Sequence, residues 1–176
     1  MKKIIGVSGA SGSGKSTFAI ELQRLLPDCY YLSADSHYKK ELPKMISPVD
    51  GKEYPDWNHP SAIDLPELLT ELEKAKEHDY ILIDGAFIFC IPEILNVLDY
   101  KIYIDASIEM RIFRRIRRNL EKGQTIDFIG GYYLNCARFR EKEYSLPSRS
   151  LADITVDNEN GFESMLGTVT AKILSL

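Results

Sequence analysis

The chain has 176 residues, of which 44% are hydrophobic and 27% charged, and its formal net charge is −4. That length suits one compact domain with a real core. The mild acidic balance argues against a broad nucleic-acid surface, and no apolar run nears the roughly 20 residues that span a bilayer.

Met1-Lys2-Lys3-Ile4-Ile5 briefly imitates a leader, but the apolar stretch is too short and Gly/Ser-rich sequence with Lys15 follows, so it reads as a strand. The three cysteines, Cys29, Cys90 and Cys136, are odd in number and form no CxxC pair. They predict a reducing, cytoplasmic setting rather than a disulfide framework or zinc site.

In chain order, residues 3–8 read as a short apolar strand ending in a Gly/Ser cluster. Residues 15–26 read as a helix with Phe18, Leu22, Leu25 and Leu26 on one face. A second strand is expected at 29–33. Residues 34–60 contain Pro43, Pro48, Gly51, Pro55 and Pro60 and read as a long loop, the expected substrate loop. Leu65, Leu68, Leu69 and Leu72 mark a helix by their i, i+3, i+4, i+7 spacing. Strands follow at 80–84 and 101–105, with a short helix near 92–97 between them. A helix at 107–121 is expected to turn Ile108, Ile112, Ile116 and Leu120 inward, and another is expected at 128–144. A fifth strand at 153–157 precedes a last helix striped by Phe162, Met165, Leu166, Val169 and Ile173. Five such strands separated by helices predict an α/β fold in one domain, residues 1–176, with a five-stranded parallel sheet covered on both faces. Ligands of such folds bind at the carboxyl ends of the strands.

Gly9-Ala10-Ser11-Gly12-Ser13-Gly14-Lys15-Ser16 is a complete GxxxxGK[ST] phosphate loop, or P-loop, between a predicted strand and a predicted helix. Glycines let the backbone wrap closely around phosphates, inward amides form an anion nest, and the helix adds its positive dipole end. The expected nucleotide-binding residues are Gly9, Ser11, Gly12, Ser13, Gly14, Lys15, Ser16 and Thr17. Lys15 supplies full charge at the β- and γ-phosphates, and Ser16 is the expected Mg²⁺ ligand.

Asp84 closes the apolar run Tyr80-Ile81-Leu82-Ile83 in a Walker-B-like strand and is the second expected Mg²⁺ ligand. Asp35 follows the second strand and is the expected general base toward an acceptor hydroxyl. Arg111, Arg114, Arg115 and Arg118 form a cationic stripe at helical spacing. They point to a lid over about residues 117–131, with Arg118 the candidate catalytic arginine. Tyr132, Tyr133 and Cys136 read as core at helical spacing, and His37 and His59 as local hydrogen-bonding residues. Asp157-Asn158-Glu159-Asn160-Gly161 joins the last strand to the last helix, a loop that in such folds often lies beside the adenine, and it also reads as an ordinary turn.

These residues resemble the uridine kinase and nicotinamide riboside kinase group of P-loop kinases. The resemblance runs through Gly6-Val7-Ser8-Gly9, Asp35-Ser36-His37-Tyr38-Lys39, Trp57-Asn58-His59-Pro60-Ser61-Ala62-Ile63-Asp64, Asp84-Gly85-Ala86-Phe87 and Leu146-Pro147-Ser148-Arg149-Ser150-Leu151-Ala152-Asp153. It covers nearly the whole chain in matching order. It implies ATP with Mg²⁺ and a small hydroxyl substrate, a nucleoside of the uridine or nicotinamide riboside kind. It also implies that Asp35 is the catalytic base, that Tyr38 lines the substrate pocket and that Arg114 holds sugar hydroxyls. Asn58 stands where the family has an Asp that contacts ribose, and the 73–80 region is shorter than in uridine kinases. A non-nucleoside alcohol therefore stays open as the acceptor, as does a nucleotide-binding regulator without small-molecule kinase activity. No nucleic-acid or membrane partner is expected, and self-association is left open.

Overall fold

The computed structural model describes residues 2–176. Strands β1 (Lys3–Ser8) and β2 (Cys29–Ser33) are joined through helix α1 (Lys15–Leu25). The hairpin β3 (Lys44–Ile46) and β4 (Glu53–Pro55) follows, then helix α2 (Leu65–Lys74), β5 (Tyr80–Asp84), the short helix α3 (Pro92–Leu95) and β6 (Tyr100–Asp105). Helix α4 (Ile108–Glu121) leads into α5 (Ile126–Tyr132) and α6 (Arg138–Arg140). The chain ends with β7 (Ile154–Asp157) and α7 (Glu163–Leu174). Strands β1, β2, β5, β6 and β7 form one parallel sheet in the order β2-β5-β1-β6-β7.

The sheet is covered on both faces because successive side chains of a strand point to opposite sides. In β5, Leu82 packs with Ile5, Val7, Phe18 and Leu22 toward α1 and α7, while Ile81 and Ile83 join Leu68, Leu72 and Ile94 on the other face. The register sets Asp84 beside Val7 of β1 and Ser33 of β2, so the carboxyl ends of the central strands share one edge. No described helix is long and apolar enough to cross a membrane, and the three cysteines are free.

Three expectations need correction. The loop at 34–60 is not irregular throughout: β3 and β4 pair antiparallel within it, around a turn in which Gly51 takes a positive φ of 69°. The hairpin is docked, with Met45 buried and its sulfur 3.5 Å from Cys136 Sγ.

The inward face of α4 is also different. Ile108 and Leu120 are exposed and Ile112 and Ile116 only half-buried, whereas Arg111 is 4% exposed. Burial of a charge demands a partner, and Glu141 supplies one at 2.9 Å. The expected helix at 128–144 begins slightly earlier, at Ile126, where Thr125 caps it by accepting from Phe128 N–H at 3.2 Å. It is not uniformly α-helical: π turns at Tyr133–Ala137 and Glu141–Ser145 flank α6.

Candidate active site

The phosphate loop leaves β1 and enters α1 at Gly14, which caps the helix at φ 93° with no side-chain cap. The first turn carries no acidic residue, so its unpaired N–H groups and the positive end of the helix dipole are available to an anion. Gly12 has a φ of 85°, and a Cβ there would lie 2.3 Å from the Arg111 carbonyl oxygen. Only glycine lets the loop turn and pack this closely against α4. Asn158 Nδ2 donates to Ser13 O at 2.7 Å and braces the loop from the β7 side. Ser13 Oγ is buried without a hydrogen-bond partner. Lys15 is buried and lines the cavity described below, as does Ser11, whereas Thr17 is exposed and outside that lining.

Ser16 and Asp84 meet because β1 and β5 are neighbours in register. Ser16 Oγ donates to Asp84 Oδ2 at 2.5 Å, and Tyr31 OH donates to Asp84 Oδ1 at 2.9 Å. Asp84 is fully buried. Burial first, and then the Asp84 charge, push the Tyr31 phenol well up, so it remains a donor to the carboxylate. A hydroxyl and one carboxylate are hard oxygen donors. They fit Mg²⁺, which takes one or two protein ligands and completes its shell with phosphate and water. Among the described residues there is no cluster of three His, Cys, Asp or Glu side chains that would suggest another metal.

Beyond the phosphate loop lies a cavity of about 550 Å³. Lys15 and Asp35 line one part of it. Tyr38, Trp57, Asn58, Phe87 and Tyr132 line another, and Arg115, Arg118, Lys122, Gln124 and Phe128 come from the α4–α5 region. Asp35 stands in the single 3-10 turn Ala34–Ser36 at the carboxyl end of β2. Tyr38 OH donates to Asp35 Oδ1 at a long 3.4 Å. Burial, reinforced by Asp35, pushes the Tyr38 phenol upward.

Tyr132 gathers the acceptor end. Its hydroxyl accepts from Asn58 Nδ2 at 3.0 Å and from Trp57 N–H at 3.3 Å, and donates to Pro55 O at 3.0 Å. Below it, fully buried Asp56 accepts from Arg140 Nε at 2.7 Å. The structure thus brings Lys15, Asp35, Tyr38, Asn58 and Arg118 to one cavity. It does not bring Arg114 there: Arg114 Nη2 donates to Asn158 O at 2.9 Å, on the phosphate-loop side. The next residue, Arg115, is the one turned into the cavity, with its guanidinium carbon 5.8 Å from the Tyr132 ring centre and 5.7 Å from that of Tyr133.

Tyr132 was not expected at the site, because its spacing reads equally well as core. Its only sequence signal is a tyrosine hydroxyl on a helix face, which needs a polar partner when buried. His37 Nδ1 hydrogen-bonds locally with Ser33 O and His59 Nδ1 with Ser61 Oγ, while His59 Nε2 also makes a long-range bond with Tyr144 OH.

The family model described as AAA domain matches residues 5–143, well over half of the chain. A uridine kinase of Clostridium novyi is 31% identical over 97% of this chain and 94% of its own length. This chain belongs to the uridine kinase family. It is accordingly a phosphotransferase that takes a hydroxyl group as acceptor. A uridine kinase of Borreliella burgdorferi is 28% identical, covering all of this chain and 96% of its own. That alignment runs over 204 positions, so the relative carries residues that this shorter family member lacks. The crystal structure of TT1252 from Thermus thermophilus superposes with a TM-score of 0.62 at 19% identity, covering 99% of this chain and 98% of its own, and supports the fold.

Proposed function

We propose that this enzyme transfers the γ-phosphoryl group of ATP to a hydroxyl of a nucleoside. The observation that carries the reading is the single cavity shared by Lys15 of the phosphate loop and by Asp35, Tyr38 and Asn58. Loop amides and Lys15 hold the triphosphate, and Ser16 and Asp84 would hold Mg²⁺, which when bound would neutralise part of the phosphate charge. Asp35 accepts the hydroxyl proton as the acceptor oxygen bonds to the γ-phosphorus and the bond to the β-phosphate oxygen breaks. Arg118 stabilises charge on the transferring group as the 117–131 segment excludes water. Tyr38 and Asn58 orient the acceptor, aided by Arg115 rather than Arg114.

One observation favours a second reading, a non-nucleoside alcohol. Asn58 is uncharged and its amide nitrogen is engaged by Tyr132, so it offers an acceptor oxygen without the strength of a carboxylate. An ATP-consumption screen over uridine, cytidine, nicotinamide riboside and simple sugar alcohols separates the two. Turnover of a nucleoside is expected; turnover of non-nucleosides alone rejects the leading reading. Asp35→Asn is expected to keep MgATP affinity while lowering kcat about 10²-fold or more. An unchanged kcat removes Asp35 from the mechanism.

A further inference from the structure

Helix α4 buries two arginines one turn apart against a single acid. Arg111 and Arg115 side chains are 5% and 11% exposed, and Glu141 is 4% exposed. Arg111 Nη1 donates to Glu141 Oε2 at 2.9 Å, while Arg115 Nη1 lies 3.8 Å from Glu141 Oε1, an ion pair without a hydrogen bond. Two cations share one anion, so a positive charge is left over in a poorly solvated place. Burial depresses the Arg115 pKa, with Glu141 opposing that shift.

The excess falls on Arg115. Its Nε and Nη1 are buried with no hydrogen-bond partner, and the side chain lines the acceptor cavity. Buried donors left unmatched are costly, so the incompletely balanced Arg115 charge favours an acceptor oxygen at the part of its guanidinium that lines the cavity. Arg111, the better-paired member, carries the carbonyl against which Gly12 packs. Glu141 itself opens the second π turn, Glu141–Ser145, a local widening that often marks functional positions.

We infer that Glu141 is a positioning residue: its carboxylate, shared with Arg111, holds the under-paired Arg115 toward acceptor-substrate oxygens. The cavity thereby selects an acceptor that presents at least one hydrogen-bond-accepting oxygen to Arg115, besides the hydroxyl aimed at Asp35. This specificity role rests on the kinase reading above; the positioning role does not.

Two measurements test it. In nuclear magnetic resonance spectra of the ligand-free protein, the Arg115 Nε–Hε signal is assigned by its loss in Arg115→Lys. In Glu141→Gln its hydrogen exchange should accelerate about tenfold. Arg111→Met, which leaves Glu141 to Arg115 alone, should slow that exchange, a reading independent of whether Glu141→Gln folds well. No change in Glu141→Gln, or acceleration in Arg111→Met, overturns the positioning role.

Kinetics with uridine then test specificity. Glu141→Gln should raise the uridine KM about tenfold with kcat within about threefold, and should add nothing in an Arg115→Met background. Additive effects, or an equal loss of MgATP affinity measured by calorimetry, overturn the action through Arg115. If the wild-type enzyme phosphorylates no nucleoside, the nucleoside reading falls while the exchange measurement still decides the positioning role.

Discussion

The phosphate end of the cavity is made from contiguous backbone, residues 9–16, between one strand and one helix. The acceptor end is assembled from side chains far apart in sequence: Asp35 after β2, Asn58 beyond the hairpin, Arg115 on α4 and Tyr132 on α5. The first depends on local geometry, glycine conformations and a helix terminus. The second depends on tertiary hydrogen bonds, chiefly those converging on the Tyr132 hydroxyl, and on the buried Asp56–Arg140 pair that fastens the hairpin to the helical arm. The phosphate end is therefore suited to a ligand common to many enzymes, and the acceptor end is free to vary.

The sharpest way to break this comparison is Lys15→Ala. It removes the one full positive charge of the phosphate loop and should lower kcat/KM by about 10³-fold or more, with weaker MgATP binding. Circular dichroism should stay unchanged, because the fold does not rest on that side chain. A near-normal kcat/KM would end the phosphate-loop assignment.

Arg140→Met probes the other end. It leaves the fully buried Asp56 carboxylate without its cation and should cost about 3 kcal/mol of stability in urea denaturation at neutral pH. In the surviving folded enzyme the acceptor KM should rise more than the ATP KM, since Trp57 and Asn58 follow closely on β4 of the hairpin. Equal rises would mean that the two ends are not separately built.

The smallest effect is expected far from both, at the amino edge of the sheet. Asp28 accepts a hydrogen bond from Asp79 N–H and pairs with His78 Nδ1 at 2.7 Å. The His78 hydrogen bond first, then that of Asp79, holds the Asp28 carboxyl below its usual value of 3.8. A carboxyl depressed by folding stabilises the native state above its unfolded pKa, and the benefit disappears as pH falls through the folded value. Asp28→Asn keeps a residue that tolerates the positive φ of 44°. It should lower the thermal midpoint slightly at pH 6 and converge with wild type at pH values below 3.8. Activity should be unaffected throughout. A difference that persists at acid pH would show that the backbone, not the ion pair, was disturbed.

Much of the architecture follows from patterns that local physics makes unambiguous. The apolar runs of β1, β5 and β6 can be satisfied only in a sheet covered on both faces. The GxxxxGK[ST] spacing specifies a turn and a helix start with few alternatives. Asp84 was legible for the same reason, because it ends such a run. The hairpin within residues 34–60 was not, since strands of three residues rich in charge and proline carry little periodic signal.

Sequence alone thus determined the parallel sheet, the phosphate loop, and the acids at the strand ends. Helical spacing on α4 disclosed both an isoleucine stripe and an arginine stripe, and it left undecided which would face the protein. Tertiary structure decided that, because Glu141 lies where it can neutralise Arg111, and a buried guanidinium is tolerable only beside such a partner. The same packing turns Arg115, and not Arg114, toward the acceptor, and brings Tyr132 to Asn58 across 74 positions of chain.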